Sequence, residues 1–275
     1  MHEILRNLQA DSLVLDLGCA EGSFPQEATS ATVVRVDRQA PKHRGDRLRF
    51  VQSDAAKLPF VDQTFDAVIS NHSLEHFDDL VGSLREIGRV ISPIGSLFVA
   101  VPDASTLTDK LYRWLGRGGG HVNAFTSSSE TVASIERASG LPHVATRMLC
   151  SSLSFLNRRN SPHPVPRRLL LLGAGYEWSL FLYVWLSRRL DRRLNARTSI
   201  YGWAFYFGNI VESIDTATWV NVCVRCGSGC SASSLTRHAL VRSIFPGLRI
   251  YRCPQCGAKN PFADDCGSQT EHRKI

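Results

Sequence analysis

The chain has 275 residues, 43% of them hydrophobic, which is enough to bury a full core and argues against wholesale disorder. Its formal net charge is +7, from 32 lysines and arginines against 25 acidic residues, and the basic residues are clustered. Residues 1–12 lack the apolar stretch of a secretory signal, and four of the eight cysteines form Cys-x-x-Cys pairs. Composition therefore argues against a secreted disulfide framework and predicts a cytoplasmic location.

A short apolar strand near the amino terminus ends in a turn that contains two glycines. The strand is predicted at residues 13–17, and Gly18 and Gly22 lie in the turn. Because glycine lacks a Cβ, the backbone there can turn sharply and a ligand can lie against it. A strand, a glycine turn and a helix make the nucleotide cradle of a doubly wound sheet, and we expect that helix at 23–29.

Three further strands follow, and each ends in polar residues. They are predicted at 33–37, 48–52 and 66–70. Asp37 lies 15 residues past Gly22, near the distance at which nucleotide-binding folds place an acid for the ribose hydroxyls. Asp54 follows the next strand, and Asn71 follows the one after it. Ligands of open α/β sheets bind at the carboxyl ends of the strands, so these side chains are candidate site residues.

The alternation of strands and helices continues to the sixth strand. Apolar residues at helical spacing predict an amphipathic helix over 80–91, followed by a strand at 96–101. Another helix is expected over 126–140, and the sixth strand at 144–150. We place the seventh strand at 218–224. The predicted fold class is α/β, with a doubly wound, mainly parallel, seven-stranded sheet.

About 65 residues separate the sixth and seventh predicted strands, and we expect a helical insertion at 156–216. It contains nine arginines and an apolar, aromatic-rich stretch at 169–187. Three interpretations of this stretch stay open: a lid on the core, an element that binds anionic lipid through residues 167–197, or a transmembrane helix. Glu177, in the middle of the stretch, argues against the transmembrane interpretation.

Two Cys-x-x-Cys-Gly segments near the carboxyl terminus predict a metal site. Their cysteines are Cys223, Cys226, Cys253 and Cys256. Two tight turns that each supply two thiolates match a tetrahedral zinc ion, and four thiolates leave no open position for a substrate. Residues 250–252 suggest a zinc-ribbon strand that enters the second turn. The site is therefore predicted to be structural, and a redox pair or unligated buried thiols are the alternatives. Further candidate ligands are Cys230, His238 and Cys266.

Five segments of the chain, in this order, resemble class I S-adenosylmethionine-dependent methyltransferases, particularly the small-molecule branch. They are LDLGCAEG, VVRVD, QSDAAKLPF, FDAVISNHSLEH and LREIGRVISPIGSLFVAVP. The resemblance covers residues 11–140 and departs at Ala20, where the family usually has the middle glycine of Gly-x-Gly-x-Gly. It implies a Rossmann-like fold, S-adenosylmethionine as the methyl donor and methyl transfer as the activity.

The resemblance also implies roles for residues at the strand ends. One group would border the amino acid and ribose portions of the donor: Asp16, Gly18, Ala20 and Gly22. Asp37 would accept hydrogen bonds from the ribose hydroxyls. Asp54 would accept one from the adenine amine, with the amide of Ala55 near the ring. Asn71 and His72 would lie beside the sulfonium.

Three histidines are candidate catalytic bases. The sulfonium is already an activated leaving group, so positioning does most of the work of methyl transfer, but an oxygen nucleophile usually also needs a base. The candidates are His121, His76 and His72, and His121 is preferred because residues 120–126 resemble a segment that closes over the donor in this branch. Each histidine could equally be a helix cap or a core residue.

The leading functional interpretation is methyl transfer to a small molecule, a lipid-linked sugar or a glycan. RNA methylation is the alternative, because basic charge and a zinc ribbon both suit RNA. Residues 71–74 read Asn-His-Ser-Leu rather than Asn-Pro-Pro-Tyr, which argues against methylation of a base amine. A non-catalytic scaffold is a further alternative. The expected layout is a core (1–155), the insertion (156–216), a last core strand (217–224) and a zinc-ribbon-like segment (223–275).

Overall fold

Seven strands form a single sheet in the computed structural model, which describes residues 1–41, 49–106, 109–110, 120–159, 175–194 and 196–264. They are β1 (Leu13–Leu17), β2 (Thr32–Asp37), β3 (Phe50–Gln52), β4 (Phe65–Asn71), β5 (Ile91–Pro102), β6 (His143–Cys150) and β7 (Ile200–Gly208). Their order is β3-β2-β1-β4-β5-β7-β6. The pairings among β1 to β5 are parallel. The predicted doubly wound α/β fold is confirmed.

The helices follow from their caps and apolar spacing. They are α1 (His2–Leu5), α2 (Leu80–Val90), α3 (Ser128–Ser139), α4 (Glu177–Leu194) and α5 (Ala232–Arg237). In α2, the Asp79 carboxylate accepts a hydrogen bond from the Gly82 amide, and Leu84, Ile87 and Val90 are buried. The sequence expectations for α2 and α3 are thus confirmed, with ends shifted by one or two residues.

The helix expected at 23–29 is wrong. That segment contains only a 3-10 turn at Gln26–Ala28. Pro25 precedes this turn and lacks an amide hydrogen, and residues 29–32 are Thr, Ser, Ala and Thr, which include few strong helix formers. The chain therefore passes from the glycine turn to β2 with little regular structure.

The seventh strand of the sheet differs from the expected one. It is β7, within the range expected to be an insertion, whereas residues 217–224 supply only β8 (Asn221–Val222). In β7, Trp203, Phe205, Tyr206 and Phe207 are all buried, and a strand covered on both faces accommodates such a run. The core strand predicted at 217–224 is corrected to Ile200–Gly208.

The chain divides into two compact units. The first comprises Met1–Ser105, Gly119–Arg147 and Trp203–Asp215. The second comprises Thr106–Gly118, Met148–Gly202 and Thr216–Ile275. The second unit holds α4, α5 and two small sheets: β8 pairs with β9 (Gly229–Cys230), and β10 (Val241–Phe245), β11 (Leu248–Arg252) and β12 (Lys259–Phe262) form an antiparallel sheet.

Helix α4 covers part of the stretch for which three interpretations were open. Within the second unit it packs Leu180 and Val184 against Leu153 and Val224. None of the helices in the described ranges combines the length and the apolar character needed to cross a membrane. The amino-terminal part of the stretch, up to residue 174, lies outside the described residues.

Candidate functional site

The turn after β1 needs glycine at both predicted positions. Gly18 has φ +68, and a Cβ there would lie 2.4 Å from the Cβ of Ser73, far closer than two carbons can approach. Gly22 has φ +115, another conformation that side chains rarely adopt. The amides of Gly18 and Cys19 both donate to the carbonyl of Val36, at 2.8 and 3.2 Å. The turn is therefore held tightly between the ends of β2 and β4.

Ala20 replaces the expected middle glycine and is itself in the left-handed region, with φ +45. For a residue with a Cβ this conformation costs about 1–2 kcal/mol. Its amide donates a hydrogen bond of 2.8 Å to Asp37 Oδ2, which offsets part of that cost. The turn thus keeps the conformation of a glycine turn without the glycine.

Asp16, the last but one residue of β1, is a buried acid with unused hydrogen-bonding capacity. One carboxylate oxygen, Oδ2, accepts a hydrogen bond of 3.0 Å from the Ser23 amide. The other, Oδ1, is buried and has no hydrogen-bond partner. Burial raises the pKa of Asp16. A buried acceptor without a partner at this turn fits a ligand that donates hydrogen bonds, such as the ammonium group of S-adenosylmethionine.

The other predicted donor-site residues lie at the carboxyl ends of neighbouring strands in the first unit. Asp37 ends β2 and is half-buried, and its Oδ1 accepts from the Gln39 amide at 2.9 Å. Asp54 follows β3, is exposed, and accepts from the Ala56 amide at 3.0 Å. Asn71 ends β4. Each carboxylate oxygen still has a lone pair, so these acids can also accept from ribose hydroxyls or an adenine amine.

The three candidate histidines lie close to a residue that sequence analysis missed. His76 and His121 have ring centroids 4.9 Å apart, with the rings edge to face. His72 Nδ1 lies 3.7 Å from Glu75 Oε1, and Glu75 is only 2% exposed. The segment His-x-x-Glu-His at 72–76 is the sequence signal that could have identified Glu75 as a site residue. It places three side chains that can bind a metal or a proton within five residues.

The four predicted cysteine ligands come together in the second unit. Cys223 Sγ lies 3.5 Å from Cys256 Sγ, and Cys226 Sγ lies 3.6 Å from Cys253 Sγ. Sulfurs bound to zinc at about 2.3 Å in a tetrahedron lie about 3.8 Å apart, so this spacing suits the ion. Gly227, which follows the second cysteine of its pair, has φ +75, which turns the backbone so that its amide donates to the Cys223 carbonyl.

The surroundings of the cluster affect the thiols unequally. Burial raises the pKa of Cys223. Burial acts in the same direction on Cys253, but hydrogen bonds from Ser228 and the surrounding amides outweigh it and lower the pKa to about 7. The Asn260 side chain contacts Cys223 Sγ at 3.5 Å and accepts from the Val224 amide. Of the further candidates, Cys230 and His238 are outside the four-cysteine group, and Cys266 lies beyond the described residues.

Comparison with known proteins agrees with this geometry. A family model described as a methyltransferase domain matches residues 15–99. A demethylmenaquinone methyltransferase from Corynebacterium kroppenstedtii is 31% identical over 176 residues, which cover 54% of this chain and 76% of that protein. The chain belongs to the class I S-adenosylmethionine-dependent methyltransferases.

Two other relatives of this methyltransferase match similar shares of this chain but smaller shares of their own length. A malonyl-[acyl-carrier protein] O-methyltransferase from Halorhodospira halophila is 38% identical over 59% of this chain and 58% of its own length. The 27-O-demethylrifamycin SV methyltransferase of Amycolatopsis mediterranei is 31% identical over 50% and 57%. Geranyl diphosphate C-methyltransferase from Streptomyces coelicolor has a similar fold, with a TM-score of 0.50 at 13% identity over 76% of this chain and 77% of that one.

Proposed function

We propose that this methyltransferase transfers the methyl group of S-adenosylmethionine to a small-molecule acceptor. The observation that carries the proposal is the unpaired, buried Oδ1 of Asp16 beside a glycine turn, with Asp37 and Asn71 at the ends of the neighbouring strands. The relatives named above are methyltransferases of menaquinone precursors, a rifamycin and a malonyl carrier, which supports a small acceptor. A lipid-linked sugar or a glycan fits the same general class.

The roles proposed for individual residues are those that the family resemblance implies, and the places of these residues at the ends of the strands support them. Asp37 binds the ribose hydroxyls, Asp54 the adenine amine and Asn71 the region of the sulfonium. His121, His76 or His72 takes the proton when the nucleophile is an oxygen. His72 and His76 follow the end of β4, and the ring of His121 lies beside that of His76. These positions support the assignment.

Calorimetry with S-adenosylmethionine tests donor binding directly. Asp37→Asn should weaken binding at least about tenfold, because a hydrogen bond to a charged group contributes about 1.5–3 kcal/mol. Asp62→Asn is the control, since that exposed acid pairs with Arg89 and is not among the candidate donor-binding residues. Wild-type protein that binds no donor would leave only the scaffold interpretation.

Transfer of a labelled methyl group to cell fractions then identifies the acceptor class. Label should enter the small-molecule or lipid fraction and depend on Asp37. If label enters RNA instead, and if the affinity of the protein for RNA falls steeply as the salt concentration rises, RNA methylation would replace the small-molecule proposal.

We infer that the four-cysteine cluster holds a structural zinc ion. Its support is the complete set of four sulfurs at tetrahedral spacing, together with the positive-φ glycine after each pair, Gly227 and Gly257. With all four positions filled by thiolates, the ion would stabilise the fold and take no part in methyl transfer.

We also propose that one face of α4 contacts an anionic membrane surface. Four apolar side chains spaced by four residues are exposed: Trp178, Leu182, Leu186 and Leu190. Arg189, Arg192 and Arg193 are on the same helix, and this combination is typical of interfacial helices.

Cosedimentation with phosphatidylglycerol vesicles, but not with phosphatidylcholine vesicles, is expected. Trp178→Ser should reduce it, whereas Ile244→Ser, a control on β10 that is also exposed, should not.

A further inference from the structure

We propose that Glu75, His76 and His121 bind one divalent transition-metal ion. One donor atom from each of the three side chains lies within 4.8 Å of the other two. Two imidazoles and one carboxylate are a donor set that suits zinc, manganese or iron, whereas magnesium and calcium favour oxygen ligands. This cluster is separate from the four cysteines, which lie in the other unit.

The state of Glu75 is the first observation that points to a ligand. Its side chain is 2% exposed, and its Oε2 is buried without a hydrogen-bond partner. Oε1 is 3.7 Å from His72 Nδ1, too far for a hydrogen bond. A buried carboxylate oxygen with no partner is costly, and a cation bound by the Glu75 carboxylate and two imidazoles would offset that cost.

Backbone hydrogen bonds hold the two chain segments of the cluster together without a metal. The amides of Val122 and Asn123 both donate to the Glu75 carbonyl, at 2.7 and 3.0 Å. The Asn123 side chain donates to the carbonyls of Leu74 and Phe77, at 2.9 and 2.7 Å. His121 is therefore fixed beside the 72–77 turn although it is distant in sequence, and the site is largely pre-formed.

One ring nitrogen of His76 contacts a backbone carbonyl, as the non-ligating nitrogen of a metal-binding histidine usually does. Its Nδ1 lies 3.1 Å from the carbonyl oxygen of Gly120. When Nδ1 donates to a carbonyl, Nε2 is unprotonated and is the atom that binds a metal. Ligand atoms at about 2.1 Å from one ion lie roughly 3–4 Å apart, so small side-chain rotations would close the cluster around it.

The location of the cluster suggests what the ion would do, a step that rests on the proposed function. Glu75 follows Asn71, at the end of β4 where the sulfonium is expected. A hydroxyl of the acceptor bound to the ion would lose its proton more easily, to His72 or to solvent, because His76 and His121 would be occupied as ligands of the ion. Its oxygen would then form the bond to the methyl carbon as the bond from that carbon to sulfur breaks. The ligand class is thus an acceptor with a metal-binding oxygen.

Metal content measured by mass spectrometry tests the site. After dialysis against zinc, wild-type protein is expected to hold one more equivalent than either Glu75→Gln or His121→Asn. Zinc bound by the four cysteines would be present in wild type and in both variants, so it does not affect this difference in zinc content. His238→Asn is the matched control, because this exposed histidine belongs to neither cluster.

Two further measurements separate loss of metal from other failures. When zinc already fills the four-cysteine cluster, cobalt bound at Glu75, His76 and His121 should give a spectrum without the strong charge-transfer absorption of thiolate ligands, and this spectrum should be absent in His121→Asn. Donor binding by calorimetry should persist in both variants, so failure of the metal site is distinguishable from failure of the proposed function. Equal metal content in wild type, Glu75→Gln and His121→Asn would overturn the proposal.

Discussion

The glycine turn after β1 and the two cysteine turns of the second unit are built alike but held differently. Each is a short loop with a positive-φ glycine, for example Gly18 at +68 and Gly257 at +71. A Cβ at Gly18 would collide with Ser73, whereas a Cβ at Gly257 would meet nothing within 4 Å. Close packing therefore surrounds Gly18, whereas Gly257 has open space around it; Gly227, in the other cysteine turn, is intermediate, because its Cβ would lie 2.9 Å from Ser154 Oγ.

The cores beneath the two turns differ in the same way. β1 contributes Val14 and Leu15, both fully buried, to an extensive sheet core. The cysteine turns rest on a cluster of six buried residues, two of which are the cysteines Cys223 and Cys253 themselves. Small cores seldom supply enough apolar burial to be stable alone. The comparison indicates that packing fixes the turn at Gly18, and it supports the proposal that a metal ion fixes the cysteine turns.

Removal of the metal should therefore have the largest effect of any single change. A chelator, or Cys253→Ser, should release zinc and unfold the region of β8 to β12, since structural zinc contributes about 10–16 kcal/mol in small metal-dependent domains. Thermal melting followed by circular dichroism, together with zinc analysis, measures this.

Cys230→Ser is the matched control for the chelation experiment, because this half-buried thiol lies next to the cluster but outside it. It should keep its zinc. Donor affinity should change by less than about threefold in Cys253→Ser, as expected for independent sites that share no partners. A zinc-free protein with unchanged melting would show that the cysteine turns do not need the ion.

A pair of glycine substitutions tests whether close packing fixes the turn at Gly18. Gly18→Ala should destabilise the protein by about 3 kcal/mol or more, because overpacking and left-handed strain add. Gly140→Ala, at φ +74 with nothing within 4 Å of the added Cβ, should cost only about 1 kcal/mol from strain. Urea unfolding gives both values, and equal losses would mean that the close contact with Ser73 is unimportant.

Sequence patterns predicted the features that depend on local spacing. The strand ends at Asp16, Asp37 and Asn71, and the four cysteines, were found because short, fixed intervals define them. The mainly parallel character of the sheet followed from the alternation of strands with helices. These elements are specified within a few residues of each other, and tertiary context does not override them.

The features that were missed depend on tertiary context. β7 was assigned to the insertion because the sequence alone does not say which of two apolar segments, 200–208 or 218–224, enters the sheet. Glu75 was missed because its importance depends on burial and on His121, which lies far along the chain. The helix at 23–29 was predicted from the usual order of elements, against the weak helix propensity around Pro25.

The smallest expected effect concerns Ala20, where the glycine turn departs from its family. Ala20→Gly should stabilise the protein by about 0.5 kcal/mol, since removal of about 1–2 kcal/mol of left-handed strain exceeds the entropy that an added glycine gives the unfolded chain. The hydrogen bond from residue 20 to Asp37 is made by the backbone amide and should persist. Urea unfolding in the absence of donor measures this difference. Destabilisation instead would mean that contacts of the Ala20 methyl group outweigh the strain, so that packing determines the residue at position 20 as it does at Gly18.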